Sequence, residues 1–294
     1  MAPDNYIRLS YQNAYSFPSN IQSLQNTLTG TNPISLAAGG SSYLLNDTYH
    51  FDQYAPYTLK SVETYQQTND PADLQQYYVA DIKPQSANSF ELGYAALFGN
   101  RVLVDVLGYY ATWEDFIAYT DVANTPGTQD PAAFLNPATY VKYNIAYNSA
   151  ERVNTFGYAA SVSVDMSKNF VAKINYFSDH IASDGDTRTT RFNTPNYHVN
   201  LEFGNTGFGK DKAFSFNTSL RYKPSYFYQV AGGLGNGTVP ASAVIDASVG
   251  YKISSLKSTV KIGGMNITNK YYSTGIANPM IGGMYYISLA YNVF

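Results

Sequence analysis

Apolar and polar residues alternate with a period of two along most of the chain. In Phe214-Ser215-Phe216-Asn217-Thr218-Ser219-Leu220-Arg221-Tyr222-Lys223, one parity reads Phe, Phe, Thr, Leu, Tyr and the other Ser, Asn, Ser, Arg, Lys. Successive side chains of a strand point to opposite faces, so this stretch predicts a strand with one apolar and one wet side. Phe156 to Met166, Tyr197 to Phe203 and Ile245 to Lys252 repeat the pattern, and Ile7 to Tyr11, Phe90 to Phe98, Val102 to Tyr110, Phe170 to Tyr176 and Val260 to Gly264 carry weaker versions. The chain closes on Tyr285, Ile287, Leu289, Tyr291 and Val293 at one parity. About ten strands of roughly 9–13 residues follow, the length that crosses a bilayer at a ~45° tilt.

Connection lengths separate a soluble sandwich from a membrane barrel. Gly99-Asn100, Ser167-Lys168-Asn169, Gly207-Phe208-Gly209-Lys210 and Ser254-Ser255-Leu256-Lys257 are tight-turn sequences. The remaining connections, near 14–87, 113–152, 178–194, 224–242 and 268–283, are long. Short and long alternate throughout, as in outer-membrane barrels with short periplasmic turns and longer extracellular loops. The fold class expected is all-β: an antiparallel transmembrane β-barrel, or about ten strands of a larger one.

Composition sharpens this reading. Charged residues are 13% of the 294 residues and 29 are Tyr, whereas an ordinary domain is about 25% charged. No apolar run approaches the ~18–20 residues of a spanning helix. A net charge of −3 gives no electrostatic basis for nucleic-acid binding, and the absence of Cys removes thiol chemistry and Cys-ligated zinc. Tyr and Phe gather near strand ends (Tyr11, Phe17, Phe98, Tyr109, Tyr110, Trp113, Phe170, Tyr176, Phe177, Tyr226 to Tyr228, Tyr271, Tyr272, Tyr285 and Tyr286), which predicts interfacial girdles. The lipid-facing set expected includes Phe156, Tyr158, Val162, Val164, Leu201, Phe203, Phe214, Phe216, Leu220, Ile245, Val249, Ile287 and Leu289. Asp165, Asn200, Glu202, Asn217, Arg221, Asp246 and Ser248 are expected in the lumen.

Candidate chemistry is sparse. His50, His180 and His198 have no convergent partners in sequence, and no catalytic, cofactor or metal residue is assigned. Ser183-Asp184-Gly185-Asp186, near Asp179, offers hard oxygens but not the spacing of a calcium loop, so it is read as a solvated loop. Gly232-Gly233-Leu234-Gly235-Asn236-Gly237 is followed by no helical pattern and is read as an extracellular loop, not a phosphate cradle. The first connection is too long to lack structure, and a short helix is expected over Pro71–Tyr78. Its aromatics Tyr43, Tyr49, Phe51, Tyr54, Tyr57 and Tyr65 either form an external binding surface or pack the loop on itself. Tyr49, Tyr54, Tyr57, Trp113, Tyr226 and Tyr228 are the candidate ligand contacts.

Five segments in order resemble TonB-dependent outer-membrane receptors, in particular those of Bacteroidetes type, over essentially the whole chain. Ile7-Arg8-Leu9-Ser10-Tyr11-Gln12 with Phe17-Pro18 is similar to the family's strand and loop entry. Lys83-Pro84-Gln85 with Ser89-Phe90-Glu91-Leu92-Gly93-Tyr94, and Val104-Asp105-Val106 through Tyr109-Tyr110 to Asp115-Phe116-Ile117, resemble the next two elements. Met265-Asn266-Ile267-Thr268-Asn269-Lys270-Tyr271-Tyr272 resembles the segment before the last strand. Tyr291 and terminal Phe294 match the closing assembly signal, although Asn292 stands where an aromatic is usual.

The resemblance implies an energy-coupled outer-membrane transporter for a scarce ligand: ferric siderophore, cobalamin, glycan or peptide. The partners it implies are outer-membrane lipid, the inner-membrane TonB complex reached through an N-terminal plug, the nutrient ligand, and a surface lipoprotein. No residue is expected to act as an enzyme. Met1-Ala2-Pro3-Asp4-Asn5 has neither the basic nor the apolar part of a secretory signal. Residues 1–294 are therefore expected to form the C-terminal part of a barrel of about 22 strands, with signal and plug outside this chain. An open wall is then expected, with no ladder between first and last strand. The alternatives are a complete ten-stranded passive porin and a surface β-sheet adhesin.

Overall fold

The computed structural model describes residues 5–24, 26–28, 35–182, 192–230, 236–276 and 278–291. Its frame is a single ten-stranded antiparallel sheet. The strands are β1 (Asn5–Ser16), β2 (Gln85–Phe98), β3 (Val102–Glu114), β4 (Val153–Asp165), β5 (Phe170–Ile181), β6 (Tyr197–Phe208), β7 (Phe214–Lys223), β8 (Ser242–Ile253), β9 (Ser258–Met265) and β10 (Met284–Tyr291). Each pairs with its neighbours in chain order, and β1 and β10 are the two edges of an open wall. The ladder predicted to be missing between first and last strand is absent among the described residues.

Four connections are tight and turn through left-handed backbone. Gly99 and Asn100 both have φ near +55°, the double positive φ of the hairpin turn whose twist matches the flanking strands. Lys168 with Asn169 and Asp211 with Lys212 also pair two positive φ values, and at the fourth turn Lys257 alone is left-handed. Two of these turns are laced together. Asn205 Nδ2 donates to the Lys168 carbonyl (2.9 Å) and Asn169 Nδ2 donates to the Gly207 carbonyl (2.7 Å), beside the β-bulge between Asn205 and Phe208. A bulge here leaves polar groups off the ladder, and these amides satisfy them.

Register separates the two faces. An aliphatic row runs from strand to strand through Ala96, Val104, Val162, Ile174, Leu201, Leu220 and Ile245. On the other parity lie Arg8, Glu91, Asp105, Asp165, Lys173, Asp179, Glu202, Arg221, Lys223, Asp246, Lys252 and Lys261. The exception among charged residues of the wall strands is Glu114, the last residue of β3, which pairs with Arg152 at 2.6 Å beyond the apolar band. A single-residue slip would put every one of these charges into hydrocarbon. The predicted lipid-facing and lumenal sets fall on the two faces accordingly.

Aromatics on the apolar face form two belts. Tyr11, Phe90, Tyr110, Phe156 and His180 follow one another across β1 to β5, and Tyr158, Tyr176 and Tyr197 stack at 5.6 and 5.8 Å. Phe170, Phe203, Phe208, Phe214, Phe216 and Tyr251 cluster at the short-turn end. The girdle reading needs one correction. Tyr109, Trp113, Phe177 and Tyr286 lie near strand ends but at lumenal parity, where Tyr109 donates to Asp179 (2.7 Å) and Phe177 stacks on His198 at 4.7 Å.

Above the wall stands a second sheet. The β3–β4 hairpin continues past Glu114, with Ile117–Asn124 paired to Val141–Asn148. The first long connection wraps both edges of this extension. Ser35–Ala38 adds in parallel to Val141–Asn148, Tyr57–Thr58 adds to Ile117–Asn124, and Asn26–Leu28 completes five strands. Both faces are covered. Leu44, Leu45 and Phe51 pack on Val122, Tyr143 and Ile145. The helix α1 (Leu59–Thr68) places Val62 and Tyr65 against Ala123, Phe134 and Tyr140 on the other side. The helix expected over Pro71–Tyr78 reduces to one 3₁₀ turn at Pro71–Asp73, where Pro71 follows the Asp70 cap, while α1 lies just upstream and ends on left-handed Asn69.

Three strands leave the wall for this cap at one point, and Asn148 holds them. Its Nδ2 donates to the carbonyls of Lys83 (3.0 Å) and Asp115 (2.6 Å), while its Oδ1 accepts from the Lys83 amide (2.6 Å). Replacing Asn148 by Ala strands those groups and is expected to cost about 1–2 kcal/mol locally. Hydrogen exchange should speed at the Lys83 amide while amides inside the cap sheet keep their protection; an unchanged Lys83 rate would show that the clasp carries no load.

Candidate functional site

The lumenal face is a surface of paired polar groups. Arg8 bridges to Asp105 (2.5 Å) from β1 across β2 to β3, Ser10 donates to Glu91 (3.1 Å), and Ser161 donates to Asn175 (2.9 Å). Asp246 on β8 accepts from Arg221 Nε (2.8 Å) and Nη2 (3.1 Å), from Ser219 (3.3 Å) and from the Asn266 amide (2.8 Å). That last bond, with Ile267 N to the Ile245 carbonyl, folds the connection after β9 back over the wall. Asn266 takes a left-handed turn (φ 50°) there and spends Nδ2 on the Lys270 carbonyl (3.0 Å).

The predicted ligand aromatics occupy two separate places. Tyr49 and Tyr57 belong to the cap, Tyr49 beside Tyr143 (5.0 Å) and Tyr57 against Phe134 (5.4 Å); Tyr54 is half-buried in the same connection. Of the wider set, Phe51 and Tyr65 are buried and pack the loop on itself, whereas Tyr43 is exposed. Trp113 lies at lumenal parity at the top of β3, bonded to Thr155 (3.1 Å) and set edge-on to Phe116. Tyr226 and Tyr228 flank each other on a small hairpin in the long connection after β7, paired to Gly237–Val239, and Tyr226 donates to the Thr274 carbonyl (2.7 Å). Tyr291 is exposed on edge strand β10, while Phe294 lies outside the described residues. Residues 183–191 and 231–235, which contain the Ser183–Asp186 and most of the Gly232–Gly237 readings, also lie outside them.

The histidines do not meet. His50 is exposed in the cap, His180 stacks on Phe156 at the upper apolar belt with Ser178 Oγ 2.7 Å from Nε2, and His198 is lumenal. Among the described residues no three His, Asp or Glu side chains are gathered as metal ligands. Sequence reasoning missed Lys223, Asn266 and Tyr272 as site residues. The spacing of Arg221 and Lys223 on the wet parity was the available signal for the first. The other two are brought in by a loop whose path no local pattern encodes.

Burial in the cap raises three phenols, Tyr49 among them. Tyr77 is pushed up to about 12, by burial first and by Tyr147 second, and burial raises Tyr143 as well, with Tyr49 adding to the effect. A raised folded-state value favours the neutral phenol, so its stabilisation is complete below the ordinary value near 10 and fades as pH rises through about 12. Absorbance titration of the folded protein should show a late tyrosinate fraction that merges with the main wave in denaturant; one wave near pH 10 in both states would refute a closed cap.

The geometry meets known proteins at the level of family and fold. The TonB dependent receptor-like, beta-barrel family model matches residues 2–269. A search of curated protein sequences returned no match. Among solved structures, the siderophore receptor PirA from Acinetobacter baumannii aligns with TM-score 0.56 at 16% identity, over 98% of this chain and 39% of that one. Pseudomonas aeruginosa FpvA in complex with a pyoverdine and iron aligns at 0.54 and 13%, over 94% and 28%. The ferric-catecholate import receptor Fiu of Escherichia coli K12 aligns at 0.53 and 13%, over 94% and 30%. The chain thus spans between about a quarter and two fifths of the length of these receptors. On the family match and the two-faced wall, this chain belongs to the TonB dependent receptor-like beta-barrel family of the bacterial outer membrane.

Proposed function

We propose that the chain is part of the barrel wall of an energy-coupled outer-membrane receptor that imports a scarce nutrient: a ferric siderophore, cobalamin, glycan or peptide. The observation that carries this reading is the segregation of charge. Every charged residue of the ten wall strands except rim-placed Glu114 lies on one face, beneath a folded cap, as a solute path through lipid requires. In this reading residues 1–294 are the C-terminal barrel portion, and the plug that meets the energising TonB complex lies outside the chain. Tyr49, Tyr54, Tyr57, Trp113, Tyr226 and Tyr228 are the aromatics assigned to ligand contact, a surface lipoprotein is a further partner, and the Tyr291-to-Phe294 segment directs assembly. The reading assigns binding and passage, with no bond chemistry.

The test is uptake by cells carrying the full-length coding sequence in the outer membrane, with and without the energising complex. Accumulation of a labelled nutrient that stops when the complex is deleted is the expected result. A steady, energy-independent conductance for small solutes would instead establish the passive porin.

A further inference from the structure

Near the extracellular end of β6, β7 and β8 the lumenal face holds a cavity of about 370 Å³. Its floor is His198, Asn200, Arg221 and Lys223, all at lumenal parity. Its roof is Tyr272 with Thr274, brought over the wall by the Asn266 turn and fixed by the Tyr226 hydroxyl on the Thr274 carbonyl. Lys223 Nζ stands 5.9 Å from the centre of the Tyr272 ring.

The charges in this cavity do not balance. Asp246 already accepts four hydrogen bonds, two of them from Arg221. Lys223 has no carboxylate within ion-pair distance among the described residues; its nearest charged neighbour along the wet parity is Arg221, of the same sign. A partly enclosed ammonium beside a second cation is costly unless an anion joins it. His198, Asn200 and the Thr274 hydroxyl, which accepts from Asn278 and keeps its own proton, add donors around the same space.

We propose that this cavity binds an oxyanion group, a carboxylate or phosphate, of the transported ligand. Lys223 supplies the free charge, Arg221 is oriented by Asp246, and Tyr272 closes the space from above. The assignment rests on the receptor reading for the ligand's origin, though not for the chemistry of the cavity.

Citrate is the probe, titrated calorimetrically at low ionic strength into the whole chain folded in detergent, with inorganic phosphate as a second titrant. Saturable citrate binding is expected. It should weaken about tenfold or more in Lys223→Gln, recover in Lys223→Arg, and stay unchanged in Lys261→Gln, lower on the same face. The recovery in Lys223→Arg separates a lost charge from a lost fold. No saturable binding, or equal affinity in Lys223→Gln, overturns the proposal. Cellular uptake that is energy-dependent yet indifferent to Lys223→Gln would remove the site and leave the receptor standing. Citrate binding lost in Lys223→Gln without any energy-dependent uptake would do the reverse.

Discussion

Phe134→Ala is expected to open the cap and leave the wall intact. Phe134 is 1% exposed and fills the space between Tyr57 (5.4 Å), Tyr140 (5.9 Å), Val62, Tyr65 and Ala123. Truncating a buried Phe typically costs about 3–5 kcal/mol, through lost transfer energy and the cavity left behind. The site collapses poorly here, because α1 above and the sheet below are tied to different segments of chain. Gln66 adds to the loss, since its side chain donates to the Phe134 carbonyl (2.7 Å) and would lose that register. Limited proteolysis should then cut within 57–140 at least tenfold faster, while heat-modified gel mobility of the wall is unchanged. Loss of both together would mean that cap and wall fold as one unit.

Val162→Arg should impede insertion into lipid, and Ser161→Arg should not. The two residues are consecutive in β4. Val162 belongs to the aliphatic row, between Val104 and Ile174; Ser161 lies on the wet face opposite Asp105 and Asn175. An Arg at the bilayer midplane of such a wall costs about 2–4 kcal/mol. At Ser161 the guanidinium meets water and the Asp105 carboxylate, and what is lost is the Ser161 hydrogen bond to Asn175, about 1 kcal/mol. Folding yields into vesicles over a urea series measure both, and equal effects would refute the assignment of faces.

The wall was legible because its constraint is local and repeats every two residues. Phe214 to Lys223 declares two faces without knowledge of its neighbours, and the alternation of short and long connections orders the strands. The cap was illegible for the opposite reason. Its strands are buried on both sides, so Val122, Ala123 and Asn124 are consecutive interior residues with no period to read. Its pairings are also non-local: Ser35–Ala38 meets Val141–Asn148 in parallel across a hundred residues of chain. The helix α1 left only Leu59, Val62, Tyr65 and the Asn69 stop as traces. Parity, and not nearness to a strand end, decides whether an aromatic is a girdle residue, which is why Tyr109 and Phe177 turned inward.

The spacing of the two aromatic belts has a consequence for the lipid. From Phe90 to Phe98 on β2, and from Phe214 to Tyr222 on β7, the apolar face runs about 27 Å along the strand at roughly 3.4 Å per residue. Tilted by about 40°, it spans about 21 Å of membrane. That is thinner than the hydrocarbon of an average bilayer, which is about 30 Å, and closer to the thinner outer membrane. Short-chain lipids should therefore accept this wall without deformation. In long-chain bilayers the rings would be dragged below the headgroups, and the surrounding acyl chains would have to compress around it.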